Sequence, residues 1–255
     1  WSRGLGDVYK RQYPEHSIPH YRIKSHVHPD NLKGEDEYCL LPNFRLPQHI
    51  HSRSANAKWL AEIAHRNPLW VHPSDAAKLG VGEGDLLKVE TEIGWFVDKV
   101  WVTERIKPGI IGCSHHIGRW RRKQDSGNRY MTNEVEIEEL GGGRMRMWTI
   151  SGVRPWESDD PDTNRVWWRD GGVHQNITHA VQPDPISGAH CWLQKVKISN
   201  PIEGERYGDV EVDTNKSFDY YKKWNEMAKE RDCLLYTSDP ADEGLGVDLG
   251  GRRII

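Results

Sequence analysis

Four stretches of this chain concentrate side chains able to hold a polar ligand. The first is Pro42-Asn43-Phe44-Arg45-Leu46-Pro47-Gln48-His49-Ile50-His51-Ser52-Arg53-Ser54-Ala55-Asn56, dense in amide, hydroxyl, imidazole and guanidinium groups. It runs into a helical pattern, whose free N–H groups and dipole favour an anion or a polar ligand. The second, Ser114-His115-His116-Ile117-Gly118-Arg119-Trp120, follows an apolar run, and a strand end opening into such residues is a common place for a binding loop. The third, Gly171 to Thr178, carries glycines that allow close backbone approach to a ligand. The fourth, Asp184 to Lys195, is a turn leading into a strand.

Each cluster also has a plain structural explanation. The histidine pairs 26/28, 49/51 and 115/116 suggest transition-metal ligands. On an extended segment His49 and His51 share a face, but no third ligand can be assigned by spacing, so no metal ligand is assigned. Trp167, Trp168 and Trp192 read as core or barrel-mouth packing rather than a stacking platform. Arg119-Trp120-Arg121-Arg122-Lys123 reads as a solvated basic patch. No G-x-S-x-G, H-E-x-x-H, P-loop or strand-borne G-x-G-x-x-G is present, which removes the common hydrolase and nucleotide-binding signatures.

The elements that must position these clusters follow from periodicity and turn chemistry. Ser54–His65 predicts a helix, with Ser54 as N-cap and Trp59, Leu60, Ile63 and Ala64 at helix spacing. Leu69–His72 predicts a short strand. Pro73–Gly80 predicts a one-to-two-turn helix, with proline in its first turn and a terminating glycine. The alternating runs Leu86–Ile93 and Trp95–Thr103 predict a hairpin joined at Gly94. Ile110–Cys113 predicts a buried strand, Trp192–Ser199 another, and Phe218–Lys229 an amphipathic helix. Residues 13–40, interrupted by Pro14, Pro19 and Pro29, read as an extended arm. Residues 121–165 are charged and weakly periodic and read as an excursion between core elements, with a strand over Met145–Ile150. Residues 201–232 read as a C-terminal extension and helix. Short strands, two short helices and glycine-rich turns indicate a β-rich α+β barrel.

Composition bounds the function. The 255 residues are 36% hydrophobic, with 12 Trp, 9 Tyr and 3 Phe supplying bulky core anchors. A net charge of -3 lacks the electrostatic footprint of a general nucleic-acid binder. No apolar run approaches the roughly 20 residues that span a bilayer, so no direct membrane insertion is expected. The ends differ from the middle. Asp7–Gln12 and Cys233–Ser238 are what the end of a common sequencing transposon and its reverse complement encode. Residues 1–12 and 233–255 are therefore expected to be non-native scars. Cys39, Cys113 and Cys191 then remain, odd in number and without a C-x-x-C pair, which leaves a disulfide framework or cysteine zinc site unsupported. Compartment stays open.

In order, the segments from about Leu41 to Ile198 resemble a known family. They are F-R-L-P-Q-H-I-H-S-R-S-A-N, then H-P-S-D-A-A-K-L-G-V-G-E-G-D-L-L-K-V-E-T, then V-T-E-R-I-K-P-G-I-I, then Q-N-I-T, and D-P-I-S-G with W-L-Q-K-V-K-I. The resemblance is to the C-terminal domain of the molybdopterin oxidoreductases, the dimethyl sulfoxide reductase superfamily, of prokaryotic type. It implies a six-stranded double-psi β-barrel with short peripheral helices, spanning residues 41–200. It also implies binding of molybdopterin guanine dinucleotide, as the domain that closes over that cofactor in a larger molybdenum-dependent oxidoreductase. Its partners would be the missing N-terminal domains of the same enzyme and electron-transfer subunits, with no nucleic acid, and an iron–sulfur cluster would lie elsewhere in the parent. The molybdenum ligand belongs to an earlier domain, so this chain alone would carry no catalytic residue. Carried over by position, the cofactor-binding residues are Arg45, His51, Ser52, Ser54, His115, His116, Gln175, Asn176, Thr178 and Gln194. Gln48, His190 and Lys195 are second choices. A pterin offers fused donor and acceptor edges plus a pyrophosphate, which amide, hydroxyl, imidazole and guanidinium groups match. The alternative is a stand-alone small barrel binding a partner protein or nucleic acid, with no redox role.

Overall fold

The structure is a computed structural model. It describes residues 32, 34–42, 46, 51, 57–124, 132–152, 170–181 and 192–229, without the side chains of Lys58 and 224–229. Among these, the strands are β1 (Glu37–Leu41), β2 (Leu69–Val71), β3 (Leu86–Glu90), β4 (Gly94–Val102), β5 (Ile110–Gly112), β6 (Trp120–Arg122), β7 (Asn133–Gly141), β8 (Arg144–Ser151), β9 (Gln194–Ser199) and β10 (Val210–Asp213). The helices are α1 (Lys58–Ile63), α2 (Pro73–Leu79) and α3 (Thr214–Lys229), with a 3-10 turn over Gln175–Thr178.

Six strands close on themselves. Their order is β2-β5-β1-β9-β3-β4, and β4 pairs back onto β2, Leu69 to Val100 and Val71 to Val102. Two contacts of the ring are parallel, β1 with β5 and β2 with β4; the other four are antiparallel. Closure removes free edges from the barrel. It also turns alternate side chains inward, so Leu40, Leu69, Val71, Leu87, Val89, Phe96 and Ile111 are completely buried in one core. Each such side chain contributes about 1.5–3 kcal/mol. The closed six-stranded barrel is the one the resemblance implies.

Several boundaries differ from the sequence expectations, each for a local reason. The arm expected over 13–40 yields its last residues to β1, whose Tyr38, Cys39 and Leu40 are buried between β5 and β9. In α1, Trp59 and Ile63 are exposed and Ala61 is the buried residue, so its apolar stripe does not face the core. The helix begins after Ala57 with no side-chain cap; the proposed cap, Ser54, lies outside the described residues. Gly94 opens β4 rather than forming the hairpin turn, because a Cβ there would meet the Glu211 carbonyl oxygen of β10 at 2.1 Å. The turn is instead held by Thr91, whose amide donates to Gly94 O at 2.7 Å.

The described residues of the segment expected to be an excursion are in large part sheet, and the strand expected over Met145–Ile150 is β8. β7 and β8 form an antiparallel hairpin that β10 joins to β4, and β6 extends it beyond β7. Most of β7 is exposed, so alternation carries no burial signal there. On the hairpin's other side charge ties β8 to β10: Arg146 bonds Asp209, just before β10, at 2.6 Å, and Arg144 Nε bonds Glu211 at 2.7 Å. β10 thus places residues 210–213 of the expected extension within the sheet.

The helix α2 matches its expectation closely. His72 caps it by accepting from the Ser74 amide, Pro73 opens it, and Gly80 ends it at φ 68. Its buried Asp75 also accepts from the Gly109 amide at 2.7 Å, which ties the helix to the turn before β5. No helix of the described residues is long and apolar enough to cross a membrane.

Candidate functional site

The strand β5 delivers the chain into a buried loop, Cys113–Gly118. The β1–β5 ladder continues past its end, with Cys113 N donating to Leu41 O and His115 N to Pro42 O, both at 3.1 Å. A second loop, residues 170–181, lies against it through Gly118 N to Gly171 O at 2.8 Å. Two glycines permit that contact. Gly118 sits at φ 92, where a Cβ would fall 2.1 Å from Val173 O, and Gly172 at φ 85, where one would fall 2.4 Å from Asn67 Oδ1.

Two buried asparagines clamp the second loop, and neither was singled out from sequence. Asn67 donates to Ser114 O at 2.8 Å and Val173 O at 2.9 Å, and accepts from Val173 N at 2.8 Å. Asn133 accepts from Gly171 N at 2.8 Å and donates to Gly172 O at 2.9 Å. Asn67 precedes Pro68 and reads as a helix terminator. No local pattern reveals partners 47 and 106 residues away.

Three of the expected site histidines meet at the loop. The ring centroids of His51 and His115 are 4.9 Å apart, His51 and His116 4.7 Å, and His115 and His116 4.4 Å. His115 Nδ1 lies 2.7 Å from Pro42 O. A carbonyl only accepts, so Nδ1 carries the proton and the lone pair sits on Nε2. Trp192 stacks on His115 at 5.0 Å while staying 39% exposed, so this tryptophan borders the site as well as packing. His51 is exposed and holds φ 44, the one left-handed non-glycine backbone among the described residues.

The remaining expected residues divide by what their polar atoms do. Gln175 is buried, donating to Cys113 O at 3.1 Å while its Oε1 lies 3.0 Å from His179 Nε2. Thr178 is buried and donates to Gln175 O at 2.7 Å. Gln194 points inward from β9, with Nε2 3.5 Å from Ala180 O. These three brace the loops. Lys195 pairs with Glu37 at 2.8 Å. Asn176 differs: its Nδ2 reaches His115 O at 3.4 Å, but its buried Oδ1 has no partner. Arg119, on the neighbouring loop, likewise has a buried Nη1 without a partner. Arg45, Gln48, Ser52, Ser54 and His190, with Trp167 and Trp168, lie outside the described residues.

The basic run 119–123 is solvated only in part: Arg122 and Lys123 are exposed as expected, and Arg121 is not. Arg121 is 1% exposed and bonds Thr132 O and Glu134, at 2.8 Å in the latter case, because β6 pairs it beside Glu134 of β7. Beneath the loop lies a polar interior. Burial pushes the Asp98 carboxyl well above the usual carboxylate range, against the Lys99 amide that bonds it at 2.7 Å. Burial, then the neighbouring Asp98, pushes the Cys113 thiol up as well, so Cys113 is a neutral thiol rather than a nucleophile. Burial lowers the His174 imidazole, which favours its neutral form. A separate cleft of about 300 Å³ is bordered by Arg66, Asp98, Lys99, Trp101 and Tyr207. None of the expected site residues lines it.

A pterin dinucleotide can be tested against these groups. Its amino and ring N–H edges need acceptors and its pyrophosphate needs cationic donors. The unpartnered Asn176 Oδ1 and Arg119 Nη1 supply one of each, the Asn176 side chain lying beside His115. The donor set fits.

Residues 40–142 match the family described as the molydopterin dinucleotide binding domain. The chain is 30% identical over 116 residues to a Halobacterium salinarum protein named as the catalytic subunit of a dimethyl sulfoxide reductase, covering 44% of this chain and 13% of that protein. It is 34% identical over 76 residues to the molybdopterin-containing subunit of the arsenate respiratory reductase of Chrysiogenes arsenatis, covering 27% of this chain and 9% of that protein. Among solved structures, acetylene hydratase from Pelobacter acetylenicus aligns with a TM-score of 0.44 and 15% identity, over 76% of this chain and 23% of that one. The chain thus spans a small part of the length of the relatives it matches.

Proposed function

Because this chain carries a molydopterin dinucleotide binding domain of the dimethyl sulfoxide reductase type, we propose that it closes one side of a molybdopterin guanine dinucleotide in a molybdenum-dependent oxidoreductase. The bound group supplies the redox chemistry; this chain binds and orients it. Asn176 Oδ1 would accept from a pterin N–H, and Arg119 would face phosphate. His51, His115 and His116 would line the same surface, with Arg45, Ser52 and Ser54 from the stretch leading to α1. Gln175, Thr178 and Gln194 act one layer back, holding the loops that present these groups. The remaining domains of the enzyme, and electron-transfer subunits, would be its partners.

The observation that carries this reading is the Asn176 acceptor, buried without a partner in a loop clamped by three other asparagine and glutamine contacts. A native fold rarely leaves such an atom unsatisfied unless something else bonds it. The test is Asn176→Ala in the polypeptide that contains this chain, isolated from a host that makes the cofactor. Molybdenum and oxidised-pterin fluorescence per mole of protein are expected to fall at least about tenfold, the worth of about 1.4 kcal/mol. Wild-type cofactor content in both Asn176→Ala and Arg119→Met would overturn the assignment.

A further inference from the structure

We propose that His51, His115 and His116 form a site for one transition-metal dication of the zinc, copper or nickel class. Sequence spacing pairs histidines two at a time and leaves no third ligand; the fold supplies it. The strand-end loop after β5 holds His115 and His116 side by side, and His51 crosses from a segment 64 residues earlier than His115 (115 less 51). One ligand nitrogen from each lies within 4.8 Å of the others.

The geometry suits a tetrahedral ion. Zinc–nitrogen bonds of about 2.0–2.1 Å place two ligands about 3.3 Å apart, so the trio must contract by about 1.5 Å at most. His51 can make that movement, since it is exposed while the other two are buried. The buried pair comes preset. His115 Nδ1 donates to the Pro42 carbonyl, which fixes the tautomer with Nε2 as ligand atom and raises its basicity, the support typical of metal-bound imidazole. The left-handed backbone at His51 costs about 1 kcal/mol, a cost that a ligand held by its ring would offset. The trio contains no carboxylate, which disfavours magnesium and calcium and favours zinc, nickel and above all copper. Three protein ligands leave a fourth position open to water or a small anion.

The metal site goes beyond the cofactor reading and is a property of the free chain. Where both hold, pterin and metal compete for the same imidazoles.

The test is titration of the cofactor-free chain with zinc by calorimetry and with cobalt by its visible ligand-field absorption. One ion per chain is expected, with a tetrahedral cobalt spectrum. His51→Ala removes an exposed ligand, so the fold is retained and affinity should fall at least about 100-fold, the upper end of what loss of a mere supporting contact costs. His116→Gln, checked for native circular dichroism, should do the same. Absence of saturable binding, or equal affinity in His51→Ala, would overturn the proposal. Either result leaves cofactor retention by the parent polypeptide untouched, and cofactor loss in Asn176→Ala says nothing of the metal.

Discussion

Asn67→Ala is the substitution through which the structure is most exposed to refutation. The side chain is 1% exposed and makes three hydrogen bonds of 2.8–2.9 Å, all to backbone, joining Ser114 of one loop to Val173 of the other. A net bond is worth about 0.5–1.5 kcal/mol, but removing one partner leaves a buried group unsatisfied at about 1–3 kcal/mol. Two carbonyls and one amide would be stranded together. Some relief from an entering water brings the expected loss to roughly 3–5 kcal/mol, a large share of the 5–15 kcal/mol typical of a domain. Urea denaturation followed by tryptophan fluorescence measures it, and hydrogen exchange at the Val173 amide localises it. Asn67→Asp sharpens the test. It keeps the acceptor for Val173 N but sets a carboxylate against two carbonyl oxygens, so it should be no more stable than Asn67→Ala. A loss below about 1 kcal/mol with Val173 still protected would show that the two loops are held by something else.

Two further substitutions probe the frame of the site. Gly118→Ala and Gly80→Ala share a left-handed backbone, but only the Cβ at 118 strikes main chain, at 2.1 Å from Val173 O. Urea denaturation should therefore show about 1 kcal/mol lost at Gly80 and more than about 3 kcal/mol at Gly118, and equal losses would mean the loops are not in contact. Asp98→Asn should change the pH profile. The folded carboxyl holds its proton well above the ordinary value, so its contribution to stability is complete below the unfolded pKa of about 3.9. That contribution is lost as pH rises toward the folded value. Urea midpoints of Asp98→Asn relative to wild type should climb from about pH 4 upward, whereas parallel profiles would contradict a buried, proton-holding Asp98.

Apart from β1, which the expected arm concealed, the barrel was legible because its strands carry their own signals. Leu86–Glu90 and Gln194–Ser199 alternate, Ile110–Gly112 is a short apolar run, and α2 carries proline, aspartate and glycine at the positions a helix start and stop require. Of the β7–β8 hairpin only β8 was legible, as the strand expected over Met145–Ile150. The residues of β7 are exposed along most of its length, which leaves no period in hydrophobicity, and ion pairs from β8 tie the hairpin to Asp209 and to Glu211 of β10. The same blindness to long-range pairing explains the site. Spacing picked out His115 and His116 because they are adjacent, yet nothing local announces that His51 joins them or that Asn67 reaches Val173. Arg121 looked like part of a basic surface because its partner Glu134 stands thirteen residues away on the next strand.

Polar residues in these loops do two kinds of work, and the bonding of each atom separates them. Gln175, Thr178, Asn67 and Asn133 have their polar groups engaged with backbone inside the protein. Their replacement should damage stability and cofactor retention together. Asn176 Oδ1 and Arg119 Nη1 are buried with no partner, and a desolvated group in that state costs free energy that a ligand would recover. Truncating either should therefore weaken cofactor retention while lowering the unfolding midpoint far less than Asn67→Ala, since the folded protein loses an unsatisfied atom and, at Asn176, only one long bond to His115 O. The residue types alone, amide beside amide in Gln175-Asn176, do not distinguish the two roles. The direction in which each side chain leaves the backbone does, and that is set by Gly172, Gly118 and the asparagine clamps that fix the loop.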